Sequence, residues 1–250
     1  MRFGLLYLPT FDPAVHVDSA TLFRQIIEQV KLGESLGFDA VWAAEHHFTP
    51  YGGDIPNPLL LLAVLAQHTQ RMRLGTAGTA LPLNHALNTA EQLAMVDALS
   101  GGRLDIGVVR AFLHFEYEAL GIDMNASRER FNESVEILRA AFAEERFTYR
   151  GRHYAFDEVA LRPRPVQRRP RIAVGTVLSA ESVRYAGHHG FDLMVIPYAV
   201  SLEGVRQQIA LYHEAVSQLQ DTAERMSRKV IEAIPDGTYS FHDFLDNDGI

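Results

Sequence analysis

Continuous apolar runs and amphipathic stretches alternate along most of this chain. The apolar runs predict strands over residues 2–9, 39–46, 72–82, 103–111, 170–176 and 191–199. Amphipathic helices are predicted between these strands, the first of them over residues 18–38. Strands that are apolar throughout and separated by helices indicate a parallel sheet buried on both faces. The pattern therefore predicts about six strand–helix units.

Two architectures fit this pattern, a (β/α)8 barrel and a doubly wound open sheet. A dinucleotide-binding sheet carries a glycine-rich turn after its first strand, whereas this chain has YLPTFDP there (7–13). The difference favours the barrel. Thirty residues follow Gln220, too few for two further strand–helix units. We therefore expect an α/β protein with an incomplete (β/α)8 TIM-type barrel of about six units.

One segment interrupts the alternation of strands and helices. Residues 146–170 alternate like a hairpin and then become rich in proline and arginine, which indicates an insertion. We expect a barrel domain over residues 1–220 with this hairpin insertion, followed by an atypical polar tail over residues 221–250. The stretch LLLLAVLA (59–66) is apolar all round, which is typical of a helix that packs against the sheet and also against a partner. We expect a homodimer through this helix and the next one.

The composition excludes several classes of function. The chain has 250 residues and a formal net charge of −8, so it has no electrostatic footprint for nucleic acid and no basic cluster for a membrane surface. It has no cysteine, which rules out disulfides, thiolate nucleophiles and cysteine-ligated metals. It shows no basic-then-apolar leader and no apolar run near the ~18 residues of a membrane span. We expect a cytoplasmic protein.

Glu45, His46 and His47 follow the second predicted strand directly. In a parallel barrel the carboxyl ends of the strands meet at one mouth, where sites form. A neutral imidazole suits a general base near neutral pH. Because successive strand residues face opposite ways, only one histidine is expected to face the mouth, and we favour His46. The alternative is a hydrogen-bonded packing role. A metal site is not expected, since there is no His-Glu-x-x-His pattern.

Small residues end the third predicted strand, at Thr76, Ala77 and Gly78. Glycine at a strand end has two common explanations. One is tight packing against the neighbouring strand, and the other is close approach of the backbone to a flat ligand. The residues alone leave both open.

Several groups suited to an anion follow other predicted strands. Arg110 ends the fourth strand, and Arg128 lies in the first turn of the next helix, where a cation opposes the helix dipole and favours a nearby anion. That anion could be Asp123 or a phosphate. Ser179 and Ser182 begin a later helix, and hydroxyls with backbone N–H groups at a helix start bind anions, although Ser179 also suits an ordinary cap. Together these groups indicate a phosphate-bearing ligand.

Four segments together resemble the luciferase-like flavin monooxygenases. They are GFDAVWAAEHHFTPYGG (37–53), RLGTAGTALP (73–82), GGRLDIGVVRAF (101–112) and ALGIDMNASRERF (119–131). The resemblance runs from Met1 to about Gln220. It implies a (β/α)8 barrel that commonly dimerises. It also implies reduced FMN from a separate reductase, used with O2 to oxygenate a small or medium apolar substrate.

The same resemblance implies roles for individual residues. His46 corresponds to the catalytic histidine of the family. The flavin ring is implied to lie against a non-proline cis peptide at Ala77–Gly78. The implied phosphate contacts are Arg110, Arg128, the backbone of Leu178, Ser179 and Ser182.

The chain also departs from the family pattern. Many relatives have Arg-Gly-Tyr where this chain has Arg110, Ala111 and Phe112, and the end of the chain, AIPDGTYSFHDFLDNDG (233–249), is similar to a stretch of the hydantoinase B/oxoprolinase group. Two alternative functions stay open. One is a non-catalytic or vestigial flavin-binding relative, and the other is an oxidoreductase that uses the deazaflavin F420 for hydride transfer.

Overall fold

The computed structural model describes residues 2–233, with side chains described for residues 2–224. The chain divides into two units, Met1–Gly175 and Thr176–Ile250, and each is described here by itself. The hydantoinase-like stretch lies outside the described residues, apart from Ala233 at its start. The division into a 1–220 domain and a 221–250 tail remains a prediction.

Strands and helices alternate in the first unit. Its elements are β1 (Gly4–Tyr7), α1 (Ser19–Ser35), β2 (Ala40–Ala43), α2 (Pro58–His68), β3 (Arg73–Thr76), β4 (Thr79–Ala80), α3 (Ala86–Ser100), β5 (Leu104–Val109), α4 (His114–Ala119), α5 (Ser127–Ala143), β6 (Phe147–Arg150), β7 (Ala155–Val159) and β8 (Ile172–Thr176). Short 3₁₀ turns cover Leu81–Leu83 and Met124–Ala126. Helix α4 is an element that the apolar pattern did not predict.

The sheet of the first unit is parallel, with the order β1-β2-β3-β5-β8, and β4 pairs with β5. A doubly wound sheet reverses its strand order at a switch point, whereas this order follows the chain. The order therefore excludes the doubly wound alternative and is that of a barrel wall. Strands β6 and β7 form an antiparallel hairpin within the 146–170 segment.

The second unit contributes helix α6 (Ala180–His188), strand β9 (Asp192–Val195) and helix α7 (Leu202–Ala233). Helices α6 and α7 pack closely at Gly187, where an added Cβ would lie 2.5 Å from the Cβ of Ala215. The described residues thus hold six strand–helix units, which confirms the predicted incomplete (β/α)8 arrangement.

The two faces of the sheet differ. Val41, Leu74 and Leu104 stand side by side in the register and are fully buried, on the face that the helices cover. On the opposite face Leu6 is 57% exposed. The prediction of a sheet buried on both faces fits the central strands β3 and β5, where successive residues are buried, and fails at the edge strand β1.

Arg103 ties helices α2 and α3 to the start of β5. Its Nε donates to the carbonyl of Ser100, and its Nη1 donates to Oγ1 of Thr69 and to the carbonyl of Met72. Its Nη2 donates to the carbonyls of Ala66 and Thr69. The carbonyls of Ala66, Thr69 and Ser100 lie at helix ends and have no partner inside their own helix, and that of Met72 directly precedes β3. The guanidinium therefore satisfies two helix ends at once.

No helix among residues 2–233 is long and apolar enough to cross a membrane.

We expect Arg103→Met to lower the free energy of unfolding by about 2–4 kcal/mol, since the apolar stem remains while several enclosed carbonyls lose their donor. Urea unfolding measures the change. Arg24→Met is the matched control, because Arg24 lies on the exposed surface of α1. If Arg103→Met lowered the stability no more than this control, the ascribed role of Arg103 would be wrong.

Candidate active site

The three polar residues after β2 lie in a loop. Strand β2 ends at Ala43, so the alternation of strand side chains does not apply to His46 and His47. The expectation that only one histidine faces inward was based on that alternation and is not supported. Each imidazole is instead directed to a carboxylate, and each side chain is 14% exposed.

Glu116 of α4 is the partner of His46. Oε1 of Glu116 lies 3.2 Å from Nδ1 of His46 and accepts the backbone N–H of His47 at 2.8 Å. The side chain of Glu116 is almost fully buried. An ionised carboxylate can only accept, so this contact favours the neutral His46 tautomer that carries its proton on Nδ1. Nε2 is then the basic ring nitrogen, on the side of the ring away from Glu116.

Glu45 holds the second histidine and the neighbouring loop. Its Oε1 contacts Nε2 of His47 at 3.0 Å and accepts from Nδ2 of Asn84 at 2.8 Å, while its Oε2 accepts the backbone N–H of Ala80. The hydrogen bond from Glu45 raises the pKa of His47, and burial opposes this effect. The charges of Glu45 and Glu116 raise that pKa further. His47 and Glu45 thus form a partly buried hydrogen-bonded pair that fastens two loops together.

Aromatic rings surround His46. The ring of Tyr51 lies 5.4 Å from its imidazole, and the ring of Phe112 lies 6.1 Å away in an edge-to-face arrangement, centroid to centroid. Phe112 is more than half exposed. The preceding residue, Ala111, has φ of 61°, the left-handed region that favours glycine. This is the position where many relatives have glycine, and here the alanine packs against the buried cluster of Ala80, Leu83 and Tyr117.

The peptide bond between Ala77 and Gly78 is cis, as the resemblance implied. The N–H of Ala77 donates to the carbonyl of Ala43 at 2.7 Å, so this bond lies beside the end of β2. A Cβ on Gly78 would meet the carbonyl oxygen of Gly107 at 2.9 Å. Close packing against β5 therefore explains the glycine, and a role in binding a flat ligand remains a prediction.

Arg110 follows β5 and is held in place by α5 and α4. Its Nη1 donates to Oγ of Ser127 at 3.2 Å, and the hydroxyl of Tyr117 donates to its backbone carbonyl. Arg128 lies in the first turn of α5, next to Ser127. Asp123, the alternative anion, caps the 3₁₀ turn by accepting the N–H of Asn125 at 2.9 Å. A cation and a hydroxyl thus stand together at the start of α5.

The remaining predicted residues belong to the second unit. Ser179 is the N-cap of α6, and its Oγ accepts the N–H of Ser182 at 3.2 Å. The Oγ atoms of Ser179 and Ser182 are also 3.2 Å apart. Leu178, one residue earlier, is exposed. Two hydroxyls at a helix start retain the features of an anion site, and their role in binding phosphate remains a prediction.

Glu116 is the site residue that sequence reasoning missed. It sits in a six-residue helix whose apolar positions show no clear period, so neither the helix nor the acid was singled out. One signal was available. An acid six residues after Arg110, close to the end of a predicted strand, is a candidate partner for a histidine at the same mouth.

Comparison with known proteins points to one family. The model of the luciferase-like monooxygenases matches residues 1–230. The alkanal monooxygenase alpha chain of the Kryptophanaron alfredi symbiont is 28% identical over 86% of this chain and 59% of its own length. The oxygenase component of flavin-dependent trigonelline monooxygenase from Acinetobacter baylyi is 30% identical over 80% of this chain and 56% of its own length.

Solved structures agree. The crystal structure of monooxygenase RslO1 from Streptomyces bottropensis matches with a TM-score of 0.84 and 38% identity, over 88% of this chain and 67% of that one. The chain spans between 53% and 59% of the length of five curated relatives that it matches.

We expect the Glu45–His47 pair to make stability depend on pH. The folded pKa of His47 is raised above its unfolded value of about 6.5. The pair therefore stabilises the fold fully below that pH, and this contribution is lost as the pH rises through the folded pKa. Urea unfolding of the parent and of His47→Gln between pH 5.5 and 8.5 measures it. The difference in unfolding free energy between the two should be largest at pH 5.5.

The Glu45→Gln background is the control. In the Glu45→Gln background, the His47→Gln replacement should change the unfolding free energy by an amount that varies much less with pH. A difference between parent and His47→Gln that stays constant across the range would contradict the assignment.

Proposed function

The chain belongs to the luciferase-like monooxygenase family, and from this premise we propose that it is the oxygenase of a two-component flavin system. It would take reduced FMN from a separate reductase and use O2 to oxygenate a small or medium apolar substrate. The observation that carries the proposal is the buried contact between Nδ1 of His46 and Oε1 of Glu116. A relative of similar sequence bears the printed name of a flavin-dependent oxygenase component, which supports the two-component form.

The residues present fit a flavin mononucleotide. Arg110, Ser127 and the start of α5 offer a cation, a hydroxyl and N–H groups suited to its phosphate. In the second unit Ser179 and Ser182 offer hydroxyls at the start of α6. The aromatic rings near His46 suit a flat, largely apolar group. Reduced flavin, when bound, supplies the electrons for the activation of O2.

His46 is proposed to move a proton at its Nε2 atom. Glu116 holds the other ring nitrogen, so the ring is fixed in orientation and Nε2 is the basic position. A positively charged ring formed by proton uptake would be stabilised by the adjacent buried carboxylate. Tyr51 and Phe112 flank the ring and limit the access of water. The His46–Glu116 pair is thus suited to general acid–base catalysis.

A homodimer through α2 and α3 is part of the proposal. Leu60 and Val64 are exposed one turn apart on α2, and Met95 and Leu99 are exposed one turn apart on α3. Helices α2 and α3 pack against each other in the first unit. Four exposed apolar side chains on two adjacent helices form a patch of the kind that subunit interfaces cover.

We expect Arg110→Ala/Arg128→Ala to weaken FMN binding at least tenfold and leave riboflavin binding within about twofold, because riboflavin lacks the phosphate. His46→Ala should bind FMN within about threefold of the parent. Its oxygenation rate with supplied reduced FMN should fall by about 10²–10⁴-fold. Quenching of flavin fluorescence measures binding, and O2 consumption with product analysis measures turnover.

The other outcomes distinguish the alternatives. Flavin binding without O2 consumption by the parent would favour the vestigial flavin-binding protein. Turnover with F420 that does not depend on O2 would favour the deazaflavin oxidoreductase. If the parent bound none of these cofactors, the proposed function would be wrong.

We expect the parent to run as a dimer and Leu60→Glu/Leu99→Glu as a monomer, since the introduced charges would be buried at the interface. Light scattering after gel filtration measures the mass. Leu32→Glu is the control, because Leu32 is exposed on α1, outside the patch. A parent that stays monomeric at high concentration would reject this interface.

A further inference from the structure

Gln208 of α7 is a buried polar side chain in the second unit, with an exposed fraction of 8%. Its Nε2 donates to the carbonyl of Val177 at 2.6 Å. Its Oε1 has no hydrogen-bond partner among the described residues. An unpaired amide oxygen costs free energy when it is buried, and an apolar side chain in the same place would avoid that cost. The bond to Val177 is the interaction that an apolar side chain could not make.

The packing of α7 fixes the position of Gln208. Ala215, seven residues later, is buried against Gly187 of α6, where an added Cβ would lie 2.5 Å from the Cβ of Ala215. Tyr212, four residues after Gln208, donates its hydroxyl to the carbonyl of Phe191 at 2.8 Å. Residues four and seven apart lie on one face of a helix. Gln208 therefore lies on the face of α7 that packs against α6 and against the residue before β9.

The carbonyl of Val177 belongs to the same peptide unit as the N–H of Leu178. Among the described residues this peptide bond is not one of the cis bonds, and in a planar trans peptide the C=O and N–H groups point in opposite directions. Because Gln208 holds the carbonyl toward α7, the N–H of Leu178 points away from α7. No acceptor for this N–H lies within hydrogen-bond distance in the part of the chain that the structure describes. One side chain of α7 thus sets the direction of a backbone donor on the opposite side of the loop.

The next N–H groups of this loop are held by hydroxyls of the loop itself. Oγ1 of Thr176 accepts the N–H of Ser179 at 3.2 Å, and Oγ of Ser179 accepts the N–H of Ser182 at 3.2 Å. Leu178 directly precedes Ser179, the N-cap of α6. A donor at the positive end of a helix dipole suits an anionic ligand. The N–H of Leu178 is therefore placed to bind an anion, and Gln208 controls its orientation.

We propose that Gln208 is a positioning residue for the phosphate of FMN, a role that rests on the proposed function. The resemblance implies a phosphate contact from the backbone of Leu178. Gln208 holds the Val177–Leu178 peptide in the orientation in which this N–H donates to the phosphate, and does not itself touch the ligand. Riboflavin has the same ring and no phosphate, so its binding does not use this donor.

We expect Gln208→Met to weaken FMN binding at least fivefold and to leave riboflavin binding within about twofold of the parent. Methionine fills similar space but has no N–H donor. Gln208→Leu should show the same selective loss. Gln207→Met is the matched control, because Gln207 is an exposed glutamine at the next position of α7, and it should bind both flavins as the parent does. Quenching of flavin fluorescence measures binding.

Nuclear magnetic resonance of protein with isotope-labelled leucine amides observes the donor directly. The signal that disappears in Leu178→Val identifies the N–H of Leu178. In the parent, saturating FMN should shift this proton signal downfield, because the N–H gains a charged acceptor, and riboflavin should not. In Gln208→Met saturated with FMN, the shift should be at most half of that in the parent.

The outcomes separate this role from the proposed function. A parent that binds FMN no more tightly than riboflavin would contradict the phosphate contacts of the proposed function, and the role of Gln208 with them. If the parent prefers FMN and Gln208→Met keeps both this preference and the shift of the Leu178 signal, the role of Gln208 alone would be wrong. Equal weakening of both flavins in Gln208→Met and Gln208→Leu would also overturn it, since that result indicates a general loss of packing.

Discussion

A carboxylate removed from water must find hydrogen-bond donors, and the arrangement at the carboxyl end of this sheet depends on how Glu116 finds them. Its partners come from the loop after β2, through Nδ1 of His46 and the backbone N–H of His47. The short helix α4 is therefore held at a fixed distance from that loop. Tyr117, the next residue, donates its hydroxyl to the carbonyl of Arg110, so the same helix also fixes the end of β5.

The two histidines differ in their contacts. His47 is enclosed in a network with Glu45, Asn84 and the N–H of Ala80, which joins the loops after β2 and β3. His46 contacts a carboxylate through Nδ1, and its proposed role in proton transfer uses the second ring nitrogen. A rigid neighbour and a ring held at one atom form the kind of support that precise catalytic geometry needs. Under the proposed function, consecutive positions in the chain thus serve structure and chemistry separately.

The order of the strands could be predicted because continuous apolar runs and amphipathic helices are strong, repeated signals. The position of His46 and Arg110 at the carboxyl end of the sheet could be predicted because both follow such runs directly. Glu116 could not, since its helix is too short to show a period and its burial is set by partners distant in the chain. The placement of both histidines was also missed, because β2 ends three residues earlier than its apolar pattern suggests. The exposure of the edge strand β1 was missed for a different reason, as apolar content alone does not reveal which neighbours cover a strand.

The indole of Trp42 on β2 lies over Gly4 of β1 and Gly75 of β3, and this packing has a consequence for how the sequence can diverge. Glycine is a poor strand residue, and positions 4 and 75 would gain from a larger side chain if the space above them were empty. The three positions, on three different strands, are therefore expected to vary together among natural sequences. A chain that replaces Trp42 with a small residue should carry β-branched residues at one or both of the other two. Covariation across β1, β2 and β3 would then record this packing in sequences for which no structure exists.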